Sequence, residues 1–158
     1  MGLLALALAA PLPLLAQQPI APRSFSPEEL EQIGAPIALY PDALLAQVLM
    51  AATYPLEVVM AARFVQANPG LKGEALNEAL TAQNWDDSVK SLASFPQVLG
   101  MMNEQLAWTQ KLGDASLAQR EELMDAIQRL RARAQAEGTL TTTPQQVLPR
   151  RVARSARA

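Results

Sequence analysis

Leu39–Phe64 reads LYPDALLAQVLMAATYPLEVVMAARF and holds both tyrosines of the chain, Tyr40 and Tyr54, each directly before a proline. Phe95 repeats the arrangement in SLASFPQVLGMM. Proline is tolerated only in the first turn of a helix, and it pushes the residue before it out of the α region. Each aromatic–proline pair therefore reads as a junction where a new helix begins, with the ring free to lie across the joint. Between the junctions, Leu44, Leu45, Val48, Leu49 and Ala52 form one apolar stripe at helical spacing. Val58, Val59, Ala62 and Val65 form the next. Leu39 and Leu44 are expected to pair across the start of the first of these helices.

Working outward, FSPEELEQIGAP carries a full helix-start signature. Ser26 is the cap, Pro27 the first helical residue and Glu29 the reciprocal acid of a capping box, while Phe25 and Leu30 stand at the staple positions. This predicts a helix from Pro27 towards Gly34. Pro41 and Pro55 at first helical positions predict the second and third helices, and NPGLKGEALNEALTAQNW a short fourth. Asp86 or Asp87 caps a fifth. Pro96 opens a sixth, with Val98, Leu99, Met101, Met102, Leu106 and Leu112 on one broad stripe. Ser116 and Gln119 read as the next capping box, before a long last helix ending at Gly138 and carrying an Asp125–Arg129 pair. An echo at an offset of 41 residues aligns VLMAATYPLEVVM from Val48 with VKSLASFPQVLGM from Val89. Two copies are too few for a solenoid; the echo is a duplicated helical hairpin or a coincidence.

Of the 158 residues, 50% are hydrophobic and only seven aromatic, a composition rich in Ala and Leu that suits closely packed helices. The expected fold is all-α, a bundle of about seven helices over residues 25–138. The chain has no histidine and no cysteine. Ser-His-Asp and Cys-His nucleophiles, the usual zinc sites, iron–sulfur ligation and thiol redox chemistry each lose a required residue type. Carboxylates, Lys, Arg and two tyrosines remain. Arg150, Arg151, Arg154 and Arg157 fall in the last nine positions, and without them 9 basic residues face 15 acidic ones. An acidic domain without a basic stripe is a poor partner for nucleic acid.

The candidate contacts for a partner or ligand are Tyr40, Asp42, Tyr54 and Trp85. Asp42 follows Tyr40-Pro41, where an acid in a first helical turn is expected on dipole grounds alone. Asp86 and Asp87 beside Trp85 suggest a carboxylate pair for glycan hydrolysis, but neighbours on a helix point apart and do not flank one glycosidic bond. Glu104, Glu121, Glu122 and Asp125 lack the Glu-x-x-His spacing of a di-metal bundle. No catalytic, cofactor-binding or metal residue is assigned, and no cofactor is expected. Trp108 is expected in the core and Trp85 partly exposed. Arg63, on an apolar helix face, is expected in an interhelical ion pair.

Residues 1–16, apolar from Gly2 onward, have the length of a signal-peptide core, with a small residue before Gln17. Cleavage there leaves 17–24 as a short linker and predicts export to the periplasm, with no membrane contact once the signal is removed. Residues 139–158 read as a flexible tail.

GAPIALYPDALLAQVLMAATYPLEVVMAAR, NPGLKGEAL, WDDSVKSLASFPQVLGMMNEQLAWTQKLGDA and MDAIQRLRARAQAEGTL together resemble the bacterial family known as domain of unknown function 3300, over Glu28 to Gln146. The resemblance implies an exported protein of Gram-negative bacteria and brings no catalytic or binding residue to carry over. Members of that family continue into a β-prone Val/Tyr/Pro stretch and a low-complexity tail. VLPRRVARSARA departs from that pattern, and the chain is expected to be truncated there. The expected role is an exported, periplasmic interaction or scaffold domain, with an envelope protein or polymer as partner. A carboxylate-dependent hydrolase of envelope polymers and a peripheral membrane-binding module are the alternatives.

Overall fold

Ser26 starts the first helix as its neighbours dictate. Its Oγ accepts the Glu29 N–H at 3.2 Å while the Glu29 carboxylate accepts the Ser26 N–H at 2.8 Å, closing both halves of the capping box. The computed structural model describes residues 24–138. Among them run eight α-helices and no strand: α1 Pro27–Gly34, α2 Asp42–Ala51, α3 Pro55–Ala67, α4 Gly73–Thr81, α5 Asp87–Leu92, α6 Pro96–Glu104, α7 Leu106–Ala118 and α8 Arg120–Ala136. A 3-10 turn, Ala35–Ile37, follows α1. The all-α fold is as expected. The signal-peptide and tail assignments lie outside the described residues.

The echo in the sequence has a counterpart in space. Tyr54 caps α3 at φ −120°, ψ 59°, and Phe95 caps α6 at φ −121°, ψ 68°. The Tyr54 N–H donates to the Ala51 carbonyl at 2.9 Å, and the Phe95 N–H to the Leu92 carbonyl at 2.8 Å. Partners 41 residues apart share their burial: Val48 with Val89, Ala52 with Ala93, Val58 with Leu99 and Ala61 with Met102 all lie in the core. Like then packs on like, α2 against α5 and α3 against α6. This is the arrangement a duplicated hairpin produces. Helices α1, α7 and α8 close around the pair, with α1 packed chiefly on α8 and α7 reaching α2 and α3.

Four local expectations are corrected. Pro41 is the cap of α2 and not its first residue: its ψ of 147° is extended, and its carbonyl accepts the Leu45 N–H at 2.9 Å to open the helix. Leu39, expected to staple onto Leu44, is largely exposed. The long sixth helix is two helices, broken at Gln105 (φ −107°, ψ 52°). No Pro or Gly marks that point; the break lets Met102 and Leu112, both fully buried, face the core from differently directed rods. The Met102 carbonyl, left without a helical partner, accepts the hydroxyl of buried Thr109 at 2.7 Å.

Ser116, finally, is no cap. It lies inside α7, buried, and the junction to α8 is Gln119. The Gln119 side-chain amide accepts the Phe25 N–H at 2.6 Å and donates to the Phe25 carbonyl at 3.2 Å. Both backbone groups of the residue leading into α1 are thereby held against the α7–α8 corner.

Candidate functional site

Helix caps bring three chemistry-bearing side chains to one corner. Pro55 fixes the start of α3, so Glu57 falls in its first turn, directly after Tyr54. The Glu57 carboxylate reaches across the chain and accepts the Asp86 N–H at 2.6 Å, holding the start of α5 beside the start of α3. Asp86 caps α5: one carboxylate oxygen accepts the Ser88 N–H at 2.9 Å and the Ser88 hydroxyl at 2.5 Å. These two bonds, the hydroxyl's first, together with the Tyr54 hydroxyl, hold the Asp86 carboxyl below the usual aspartate range. The group is an anion kept as an anion, and it has no proton to give at neutral pH. Asp87 points away into solvent, its side chain fully exposed, as expected for adjacent acids.

Tyr40 and Asp42 belong to a second knot, tied by Arg131 of α8. Its guanidinium donates to the Ala38 carbonyl at 2.6 Å, to the Tyr40 carbonyl at 2.7 Å and to the Asp42 carboxylate at 2.6 Å. The carbonyls belong to the non-helical link between α1 and α2 and gain a charge-assisted donor there. The Asp42 side chain stays 84% exposed, so its ion pair with Arg131 adds under about 1 kcal/mol.

The two tryptophans exchange the places expected for them. Trp85 is buried, its ring meeting Phe64 edge-on with centroids 5.8 Å apart. It is part of the core, with Phe64 packed against its ring. Trp108 is only partly buried, with its indole N–H donating to the Ile33 carbonyl at 2.9 Å. Arg63, expected in an ion pair, is exposed and joins none among the described residues. Arg129 pairs with Glu31 at 2.9 Å and not with Asp125, since α1 packs along that face of α8.

The structure thus unites Tyr54, Glu57 and Asp86 and keeps Tyr40 and Asp42 apart from them. The sequence offered Asp86 or Asp87 as a cap but gave no sign that Glu57 would hold it, a contact 29 residues apart in the chain. Four surface grooves among the described residues hold about 440 to 630 Å³, and none of these four is lined by Tyr40, Asp42, Tyr54 or Trp85. Among the described residues, no three acids are grouped to hold a metal ion. No single helix there is long and apolar enough to cross a membrane.

Comparison with known proteins places residues 26–155 in a match to a family model described as protein of unknown function (DUF3300). A curated relative, "Uncharacterized protein YacH" of Escherichia coli (strain K12), is 50% identical over 123 residues. Those residues are 78% of this chain, and the chain spans about a fifth of the relative, 20% of its length. No solved structure matches.

Proposed function

The chain belongs to the DUF3300 family, and we propose that it is an exported, periplasmic interaction or scaffold domain without a reaction centre of its own. The observation that carries this reading is where the acids are spent. Glu57 holds the Asp86 N–H, Asp86 holds Ser88, and Asp42 meets Arg131. Glu57 and Asp86 each complete a backbone joint and Asp42 pairs with the arginine that ties another, while the depressed pKa of Asp86 is poorly matched to a general acid's task. Large apolar side chains meanwhile face solvent, Leu56 at 71% exposure and Leu117 at 75%. We take these two side chains as the points at which a partner would be met. The apolar stretch before Gln17 supports export.

A hydrolase acting with carboxylates alone is the second reading, favoured by the neighbourhood of Tyr54, Glu57 and Asp86. One experiment separates the two. The full chain is expressed in a Gram-negative host with a photo-crosslinking residue at Leu56, or at exposed Gln97 of α6 as control, and the cells are fractionated. The interaction reading expects periplasmic protein beginning at Gln17 or a near neighbour, and a discrete adduct from position 56 alone. Cytoplasmic protein retaining Met1 contradicts export. Absence of any adduct, with release of envelope sugar that Asp86→Asn abolishes, favours the hydrolase.

A further inference from the structure

Helix α7 turns an unpartnered face outward. Ala107, Gln110, Asp114 and Leu117 are all exposed and follow one another at steps of three, four and three residues, the spacing of a single helical stripe. They line one wall of a groove of about 460 Å³ whose opposite wall is the joint between α2 and α3, at Ala52, Thr53 and Pro55. Lys111 lines the same groove, and neither it nor Asp114 joins an ion pair among the described residues. The stripe is therefore uneven: a small residue at one end, a protruding leucine at the other, and an unpaired cation and anion near the middle.

We propose that this face pairs with the same face of a second copy of the chain, two α7 helices crossing antiparallel about a two-fold axis near Leu112. Positions whose numbers sum to about 224 then meet. Leu117 of one copy enters the hole over Ala107 of the other, and Lys111 of each copy comes level with Asp114 of its partner. A two-fold contact requires such self-complementarity. The parallel alternative sets lysine on lysine, aspartate on aspartate and leucine on leucine, leaving the holes empty and like charges opposed. A contact centred on one 13-residue helix, about 20 Å long, is small, so the dimer is a weak one. The proposal rests on the reading that the outer surface serves association, and it names the partner at one face.

Sedimentation of the full chain, up to a concentration on the order of 100 µM, tests it with three variants. Wild type associates to a dimer. Leu117→Lys and Lys111→Asp each weaken the dimer at least about tenfold, and Lys111→Asp combined with Asp114→Lys restores it. A chain that stays monomeric throughout overturns the proposal, as does a dimer indifferent to Leu117→Lys. Thermal melting checks that the variants fold. Should one not fold, the lack of native cysteine allows a second test. Mixing the Ala107→Cys and Leu117→Cys proteins under mild oxidation gives a disulfide-linked heterodimer in excess of either protein alone. No such excess overturns the antiparallel register. None of these results depends on the adduct at Leu56, so failure here is distinct from failure of the interaction reading.

Discussion

Gly113 sits where α7 crosses the end of α2, and a Cβ added to it would lie 2.3 Å from the Ala52 carbonyl oxygen. A backbone oxygen cannot swing aside as a flexible side chain does, so Gly113→Ala is expected to destabilise the fold by about 1–3 kcal/mol through overpacking. Gly100, inside α6, meets nothing within 4 Å of its added Cβ. Gly100→Ala is expected to stabilise by about 0.5–1 kcal/mol, from helix propensity and reduced freedom of the unfolded chain. Denaturant unfolding of both variants checks the pair, and equal effects would contradict the close approach. Nothing in LGDA or VLGM distinguishes the two glycines; only the neighbour at the crossing does. Asp86 is the opposite case. A capping acid was legible in WDDS, though not which of Asp86 and Asp87 it would be, and Asp86→Ala is expected to cost about 1 kcal/mol.

Helix starts were legible where an imino acid or a capping acid imposes them locally. Pro27, Pro55 and Pro96 each stand first in a helix, while the angles of Tyr54 and Phe95 are close to those of Gln105 and Gln119, which precede no proline, and so belong to the helix–helix junction. The break between α6 and α7 was not legible, because MMNEQLAW contains no residue that forbids a continuous helix. Packing overrides propensity there, and Thr109 provides the check. Its hydroxyl is the donor to the Met102 carbonyl, so Thr109→Val, nearly unchanged in side-chain shape, leaves a buried backbone acceptor empty. The expected loss is about 1–3 kcal/mol, read by denaturant unfolding. A loss near zero would mean the break does not need that bond.

At the scale of the whole molecule, the first helix and the last are fastened together by charge. Glu31 of α1 meets both Arg129 and Arg133 of α8, and these bonds, Arg129's first, lower its pKa from 4.5. A carboxyl whose folded pKa is depressed adds stability that is present above its unfolded pKa and lost as pH falls through the folded one. Asp86, lowered from 3.8, acts in the same direction. The melting temperature is expected to hold from neutral pH to about 5 and to fall below about 4; a melting temperature that does not fall there would contradict both contacts. The long-range ties were hidden in the sequence, since QIGAPIALYPD and QRLRARA show suitable charges without showing which will meet.

The claim beneath the functional reading is that the acids near Tyr54 are joints of the frame. The most direct test is carbon-detected NMR titration of the Asp86 side-chain carboxyl in the folded protein. The expected midpoint lies below the ordinary aspartate value of 3.8, held there by Ser88. A midpoint raised towards neutrality, where a general acid works, would contradict it.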